Sequence, residues 1–285
     1  MKLSYAPVLT SQSGLCLTLE NWQELGVSTA VYYLDNLLMK PGYSLLKSLS
    51  SLRSFCGWAG TIVLNASLAA ANSEGIYGFR SLYDGSKLTI SQDELYSLIV
   101  NLQPDLVILP PGMSNYLANQ QLSLPNTITP LFSAYENADM ENNGMYFSFD
   151  KAQSFTEFLK SLKQYPNNSL YVSGAFNLMQ AYELIAHRAK WLESDKPASD
   201  ALAGMVYGES NNFSLLESDM ANQHEPIILN CDCPTCKQNL TRAYLHHLFH
   251  HTPLLCHRFL IQHNAHFYKT QIELMLPNIK PQEQY

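Results

Sequence analysis

The sequence predicts an α/β fold organised around a parallel sheet, either an α/β barrel or an open doubly wound sheet. Two observations lead there. Short, β-rich apolar runs alternate along the chain with stretches of helical period, the pattern that builds parallel sheets. The chain has 285 residues, 46% hydrophobic and 14% charged. It can therefore bury a large core, and its length suits either one barrel or two smaller domains.

The strands and helices follow in order. Thr29–Leu34 reads as a strand, and Pro41-Gly42 opens a helix to about Leu52. Thr61–Leu64 is the next strand. Phe79–Tyr83 and Ser86–Ile90 flank Asp84-Gly85 and read as a hairpin with a tight turn, an excursion between barrel units. Ser91-Gln92-Asp93-Glu94 is a capping box that starts a helix to about Leu102. A strand at Leu106–Leu109 precedes the stretch Gly112–Gly144, which is rich in Asn, Ser, Pro and acids and reads as loop. Lys151–Leu162 and Leu178–Trp191 read as helices on either side of a strand at Ser169–Val172. Glu193–Glu225 reads as largely loop, with a weaker strand signal at Met205–Tyr207. Thr241 can cap a helix to about His251, which Pro253 ends, and a second helix runs from Leu254 to about Met275.

The net charge of −7 argues against a protein that wraps nucleic acid with its whole surface. The charge is unevenly placed, however. From Lys237 to Ile272 there are four basic side chains (Lys237, Arg242, Arg258, Lys269), seven histidines and no acid, so the rest of the chain carries −11. Four charges suit a nucleic-acid footprint as well as an ordinary solvated face. Met1–Glu20 lacks the basic and apolar regions of an export signal, and no run of eighteen apolar residues occurs, so a cytoplasmic protein without membrane association is expected.

Of six cysteines, three fall in Cys231-Asp232-Cys233-Pro234-Thr235-Cys236. Such clustering reads as metal binding rather than as a disulfide framework, and thiolates at these spacings suit one tetrahedral zinc ion. Cys16, Cys56 and Cys256 stand apart and are expected to be buried thiols. The fourth ligand is open on spacing alone. His246 and His250 share one helical face, His247 and His251 another, and none of the seven histidines stands out.

Thr241-Arg242-Ala243-Tyr244-Leu245-His246-His247-Leu248, followed by His263-Asn264-Ala265-His266-Phe267-Tyr268, closely resembles the C-terminal signature of the tRNA-guanine transglycosylases. One extra residue lies between Cys236 and Arg242. Met39-Lys40-Pro41-Gly42, Leu52–Trp58, the hairpin from Phe79 to Ser91, and Tyr171-Val172-Ser173-Gly174 resemble further parts of that family. The resemblance implies a (β/α)8 barrel over residues 1–225, with a hairpin insertion near 79–90, and a zinc-binding helical subdomain over 226–285. It implies a structural zinc held by Cys231, Cys233, Cys236 and His263.

Enzymes of that family exchange a guanine in tRNA for a 7-deazaguanine base. One carboxylate attacks the sugar carbon and a second serves base recognition and proton transfer. Here the family's Asp-Ser-Gly-Gly is replaced by Asn65-Ala66-Ser67-Leu68, and the base-binding acid falls at Pro111. The family's glycine-rich middle strand has no counterpart between Gly112 and Ser169, so the barrel is expected to be shortened by about one βα unit. The nucleophile position falls at Glu193, read as a solvent-exposed acid at a helix end, with Asp195 two residues on. Loss of the first acid together with Glu at the second resembles the accessory subunit of the eukaryotic queuine enzyme. The expected role is then a non-catalytic zinc protein that binds tRNA, a catalytic transglycosylase, or both, as a homodimer or heterodimer. The alternative is an active base-exchange enzyme on tRNA or DNA that uses Glu193 or Asp195 as nucleophile. A third, a barrel recruited to an unrelated ligand, has no motif to support it.

Overall fold

The computed structural model describes residues 3–134, 144–150 and 152–275. Eight short strands form one parallel sheet: Ser4–Ala6 (β1), Thr29–Tyr33 (β2), Thr61–Asn65 (β3), Leu106–Ile108 (β4), Thr129–Ser133 (β5), Gly144–Ser148 (β6), Ser169–Ser173 (β7) and Ala189–Glu193 (β8). Their order around the sheet is β1-β8-β7-β6-β5-β4-β3-β2. The ring is joined between its first and last members just past β1, where Val8 and Val31 bridge and the Leu9 amide donates to the Val31 carbonyl at 2.9 Å. This is a nearly closed (β/α)8-type barrel with helices outside it.

The barrel is not short of a unit, because β5 and β6 both lie within the stretch expected to lack one. Each hides from sequence reading for a definite reason. Pro130 stands in β5 opposite Val107, and a proline lacks the amide that a strand ladder uses. β6 follows a stretch dense in Asn and acids. β8 carries Ala189, Lys190 and Leu192, residues that favour helices, and so reads as a continuation of the helix before it. That helix, Leu178–Ala186, ends instead at His187, and Arg188 takes a left-handed φ of 62° that turns the chain into β8. The segments expected to be loop also hold helices at Met113–Asn119 and at Lys196–Leu202, the latter with Pro197 in its first turn.

Other boundaries shift by local chemistry. The helix expected from Pro41 to Leu52 is two, Tyr43–Ser48 and Leu52–Cys56. Between them the Ser51 side chain accepts the Ser54 amide and starts a new N-terminus. The hairpin pairs Ile76–Arg80 with Lys87–Ser91 through a six-residue connection, 81–86, rather than a two-residue turn, because Gly85 and Ser86 bond back to the Ser81 backbone. Met205–Val206 pairs antiparallel with Phe213–Ser214, outside the barrel. The helix expected from Lys151 runs Phe155–Leu162, and Lys151 lies outside the described residues. The Ser91 capping box forms, as does the Thr241 cap, whose hydroxyl accepts the Tyr244 amide at 3.1 Å.

Two apolar cores result. The larger lies between the sheet and the outer helices; the smaller fills the barrel lumen with Val31, Val63, Ile108, Leu131, Tyr146 and Tyr171. The long C-terminal helix Pro253–Met275 packs on Lys196–Leu202 and Leu178–Ala186, and its Tyr268 ring meets Tyr5 of β1 edge-on at 5.4 Å. No helix among the described residues is long and apolar enough to cross a membrane.

Candidate functional site

Two polar clusters are built on this frame, one beneath the C-terminal helix and one at the mouth of the barrel. In the first, Cys231, Cys233 and Cys236 lie in a tight loop that ends in a 3-10 turn, Cys236–Gln238, and His263 sits in the middle of the long helix. The four ligand atoms all lie within 4.8 Å of one another. The His263 Nδ1 is 3.9, 3.5 and 3.4 Å from the Cys231, Cys233 and Cys236 sulfurs. A tetrahedral zinc with ordinary Zn–S and Zn–N bonds sets that separation at about 3.6 Å. The cluster could therefore hold a metal ion, and its three sulfurs and one imidazole are the donor set zinc prefers.

The surroundings select the ring nitrogen. His263 Nε2 donates to the Tyr207 carbonyl at 2.8 Å, which leaves the Nδ1 lone pair facing the sulfurs. Tyr207 is fixed in turn by Asn264. The Asn264 Oδ1 accepts the Tyr207 amide at 3.0 Å, while its Nδ2 donates to the carbonyls of Pro197 at 3.2 Å and Met205 at 2.9 Å. Burial by itself would lower the proton affinity of the His263 ring. Its bonds with Cys231 and Cys233 outweigh that and raise its pKa to about 9. His246 is not part of this centre; its Nδ1 donates to the Leu215 carbonyl at 2.6 Å.

At the barrel mouth the alternation of the strands turns Tyr33, Asn65, Ser173 and Glu193 inward at the C-terminal ends of β2, β3, β7 and β8. Glu193 is not an exposed acid at a helix end. It closes β8 and is 1% exposed. Its Oε1 accepts from Tyr33 Oη at 2.5 Å, Ser173 Oγ at 2.7 Å and Asn65 Nδ2 at 3.2 Å. Its Oε2 accepts from Tyr171 Oη at 2.7 Å and again from Asn65 Nδ2 at 3.3 Å. Five hydrogen bonds thus meet a group with about four lone-pair sites. Burial raises the Glu193 pKa, and the bonds from Tyr33, Tyr171, Ser173 and Asn65 work against that rise.

Asn65 is oriented for this by Ser67, whose amide and hydroxyl both donate to Asn65 Oδ1, at 3.1 and 2.6 Å. An aspartate at 65 would set a second carboxylate about 3 Å from Glu193, and two such groups cannot both ionise when buried. The amide here and the glutamate there are thus one arrangement. Asp195 is held separately by Ser11 Oγ at 2.8 Å and Ser13 Oγ at 2.7 Å, and burial raises its pKa. A cavity of about 500 Å³ opens beside the mouth, lined by Asn72, Ser73, Gln92, Pro111, Ser114 and Asn115 among others, with no acid or histidine in its wall.

The sequence places Asn65 and Glu193 at family positions but does not show their contact, and it assigns no site role to Tyr33, Tyr171, Ser173 or Ser67. Strand alternation at Tyr33 and Ser173 was the available signal, and β8, which carries Glu193 into the lumen, was not visible as a strand.

The family model described as queuine tRNA-ribosyltransferase matches residues 140–283. Three proteins named queuine tRNA-ribosyltransferase are similar along most of the chain. The one from Clostridium tetani is 22% identical over 88% of this chain and 81% of its own length. That from Thermodesulfovibrio yellowstonii is 22% identical over 95% and 83%. That from Thermoanaerobacter sp. is 23% identical over 92% and 82%.

Proposed function

The chain belongs to the queuine tRNA-ribosyltransferase family, and from that membership we propose that it serves queuosine modification of tRNA as a non-catalytic, zinc-stapled member in the cytoplasm. It binds tRNA, a catalytic transglycosylase, or both, as a homodimer or heterodimer. The observation that carries this reading is the state of Glu193. A nucleophile in ribosyl transfer must present a lone pair to the sugar carbon. Glu193 is buried to 1% exposure with both oxygens saturated. The other acid in reach, Asp195, is tied to two serines, and the cavity beside the mouth offers no carboxylate.

In this reading Cys231, Cys233, Cys236 and His263 hold a structural zinc. All four positions are filled by protein ligands, which leaves no open position for chemistry. The zinc subdomain, residues 226–285, staples the 1–225 barrel through the His263–Tyr207 and Asn264–Met205 bonds. Exposed apolar side chains stand on the hairpin connection and early helices, Leu82, Tyr83 and Phe55, and on the C-terminal helices, Tyr244, Leu254 and Leu255. They supply apolar surface for a protein partner.

The test is base exchange with labelled guanine and tRNA. No incorporation above background is expected, together with a shift of tRNA in a low-salt gel or a complex with a catalytic transglycosylase by light scattering. Incorporation that Glu193→Gln abolishes would overturn the proposal and establish Glu193 as the nucleophile; incorporation abolished by Asp195→Asn would do the same for Asp195.

A further inference from the structure

The histidine run of the helix Arg242–His251 is not used by the Cys3His centre, and its geometry points to a site of its own. The helix carries His246, His247, His250 and His251 in its last two turns. His246 and His250 are one turn apart, with ring centroids 4.7 Å from each other and planes at 70°. Side chains four residues apart on a helix share a face and can reach one ion together.

The tautomer of His246 is already set. Its Nδ1 donates to the Leu215 carbonyl at 2.6 Å, so its Nε2 carries a lone pair directed away from that bond. A carbonyl holding one ring nitrogen while the other faces a ligand is the usual support of a metal-bound imidazole. His246 is half-buried and therefore limited in motion, whereas His250 is exposed, with no hydrogen-bond partner for its ring among the described residues. His250 lies in the last turn of the helix, where the unpaired carbonyls favour positive charge. No acid or thiol stands within this helix to recruit harder or softer ions.

We propose that His246 and His250 form a second, exchangeable site for a borderline divalent transition metal such as Ni2+ or Zn2+, separate from the Cys3His centre. Two imidazoles leave the remaining coordination positions to water, so the ion enters and leaves without unfolding the chain. Imidazole suits these metals, and affinity among them follows ligand type and the general order of divalent ions. The neighbouring pair, His247 and His251, has centroids 4.4 Å apart but lacks a bond that fixes either tautomer among the described residues.

The experiment is isothermal titration of the full chain with Ni2+, with tightly held zinc measured before and after. Ni2+ is chosen over Cu2+ because Cu2+ attacks thiolates. One saturable equivalent of Ni2+ is expected while zinc content stays constant. His250→Ala, an exposed position where folding is not at stake, should weaken it by at least about tenfold. His246→Ala should do the same, and the double change His247→Ala with His251→Ala should leave it unaltered. Absence of a saturable Ni2+ equivalent overturns the proposal, as does unchanged binding in His250→Ala. Binding lost only with His247 and His251 also overturns the assignment and moves the site to that pair.

Discussion

The two buried polar clusters of this chain differ in what they leave open. Beneath the C-terminal helix, three sulfurs and an imidazole nitrogen lie within 4.8 Å of one another, so four potential electron-pair donors surround one common space. Binding of a cation to such a cluster adds directly to the stability of the fold that assembles it. At the barrel mouth the reverse holds. One carboxylate is surrounded by Tyr33, Asn65, Tyr171 and Ser173, and each of its oxygens is already answered. The first arrangement could hold an ion at its centre, whereas in the second the hydrogen bonds end on the carboxylate itself. On the function proposed above, the first cluster staples the fold and the second holds its one carboxylate within its own donors.

The sharpest way to break that contrast is at His263. His263→Ala should abolish bound zinc, measured by atomic absorption, and lower stability by an amount on the order of 5 kcal/mol, part of the roughly 10 or more that zinc supplies to zinc-finger peptides. His246→Ala should retain the tightly bound zinc in full. If His263→Ala kept stoichiometric zinc, the Cys3His assignment would fall.

At the mouth, Glu193→Ala removes the acceptor and leaves buried hydroxyls and an amide without partners. A loss of about 3 kcal/mol is expected in urea unfolding. A loss under about 0.5 kcal/mol, the range of ordinary surface changes, would show the network to be loose enough to admit a substrate. The pH response has a definite sign. Burial raises the folded pKa of Glu193 above the ordinary carboxyl value of 4.5, so the native state binds this proton more tightly than the unfolded chain does. Stability from this group is full below pH 4.5 and falls as the pH rises through the folded value. Glu193→Gln should remove that fall, and Asn65→Asp should steepen it by placing a second acid beside the first. Thermal unfolding between pH 4 and 8 reads all three proteins. Parallel profiles for Asn65→Asp and wild type would mean that Asn65 and Glu193 are not coupled.

The difference between the two clusters also decided how much of each was legible in the sequence. The cysteines announce themselves by spacing, and a family resemblance selects His263 from seven histidines. Glu193 falls at its family position, yet its buried surroundings are not legible there because β8 reads as the end of a helix. Lys190 and Leu192 favour helix in isolation, and only the parallel pairing of Ala189–Glu193 with β7 and β1 overrides them. Pro130 hid β5 in the same way. The partners of Glu193 come from β2, β3 and β7, up to 160 residues away in the chain, and no local pattern joins them. Fold class needs only alternation, whereas the closure of the mouth depends on which inward positions share one layer of the barrel.

The smallest expected effect sits where the zinc module meets the barrel. Asn264 does not face the ion; it ties the Tyr207 amide and the carbonyls of Pro197 and Met205, and the Tyr207 carbonyl in turn holds His263 Nε2. Asn264→Ala frees that carbonyl, so His263 can turn or exchange tautomers and the Nδ1 lone pair is no longer aimed at the sulfurs. Zinc affinity, measured by competition with a chromophoric chelator, should fall by about 10- to 100-fold, the usual cost of losing an outer partner of a metal ligand. A scaffold role alone predicts something else: apo and zinc-loaded protein would lose the same stability and affinity would stay within about twofold of wild type, since linkage ties affinity to the difference between the two states. Asn264→Asp separates the two further. It keeps the acceptor for the Tyr207 amide but sets a carboxylate against two carbonyls, so it should weaken zinc binding at least as much as the alanine.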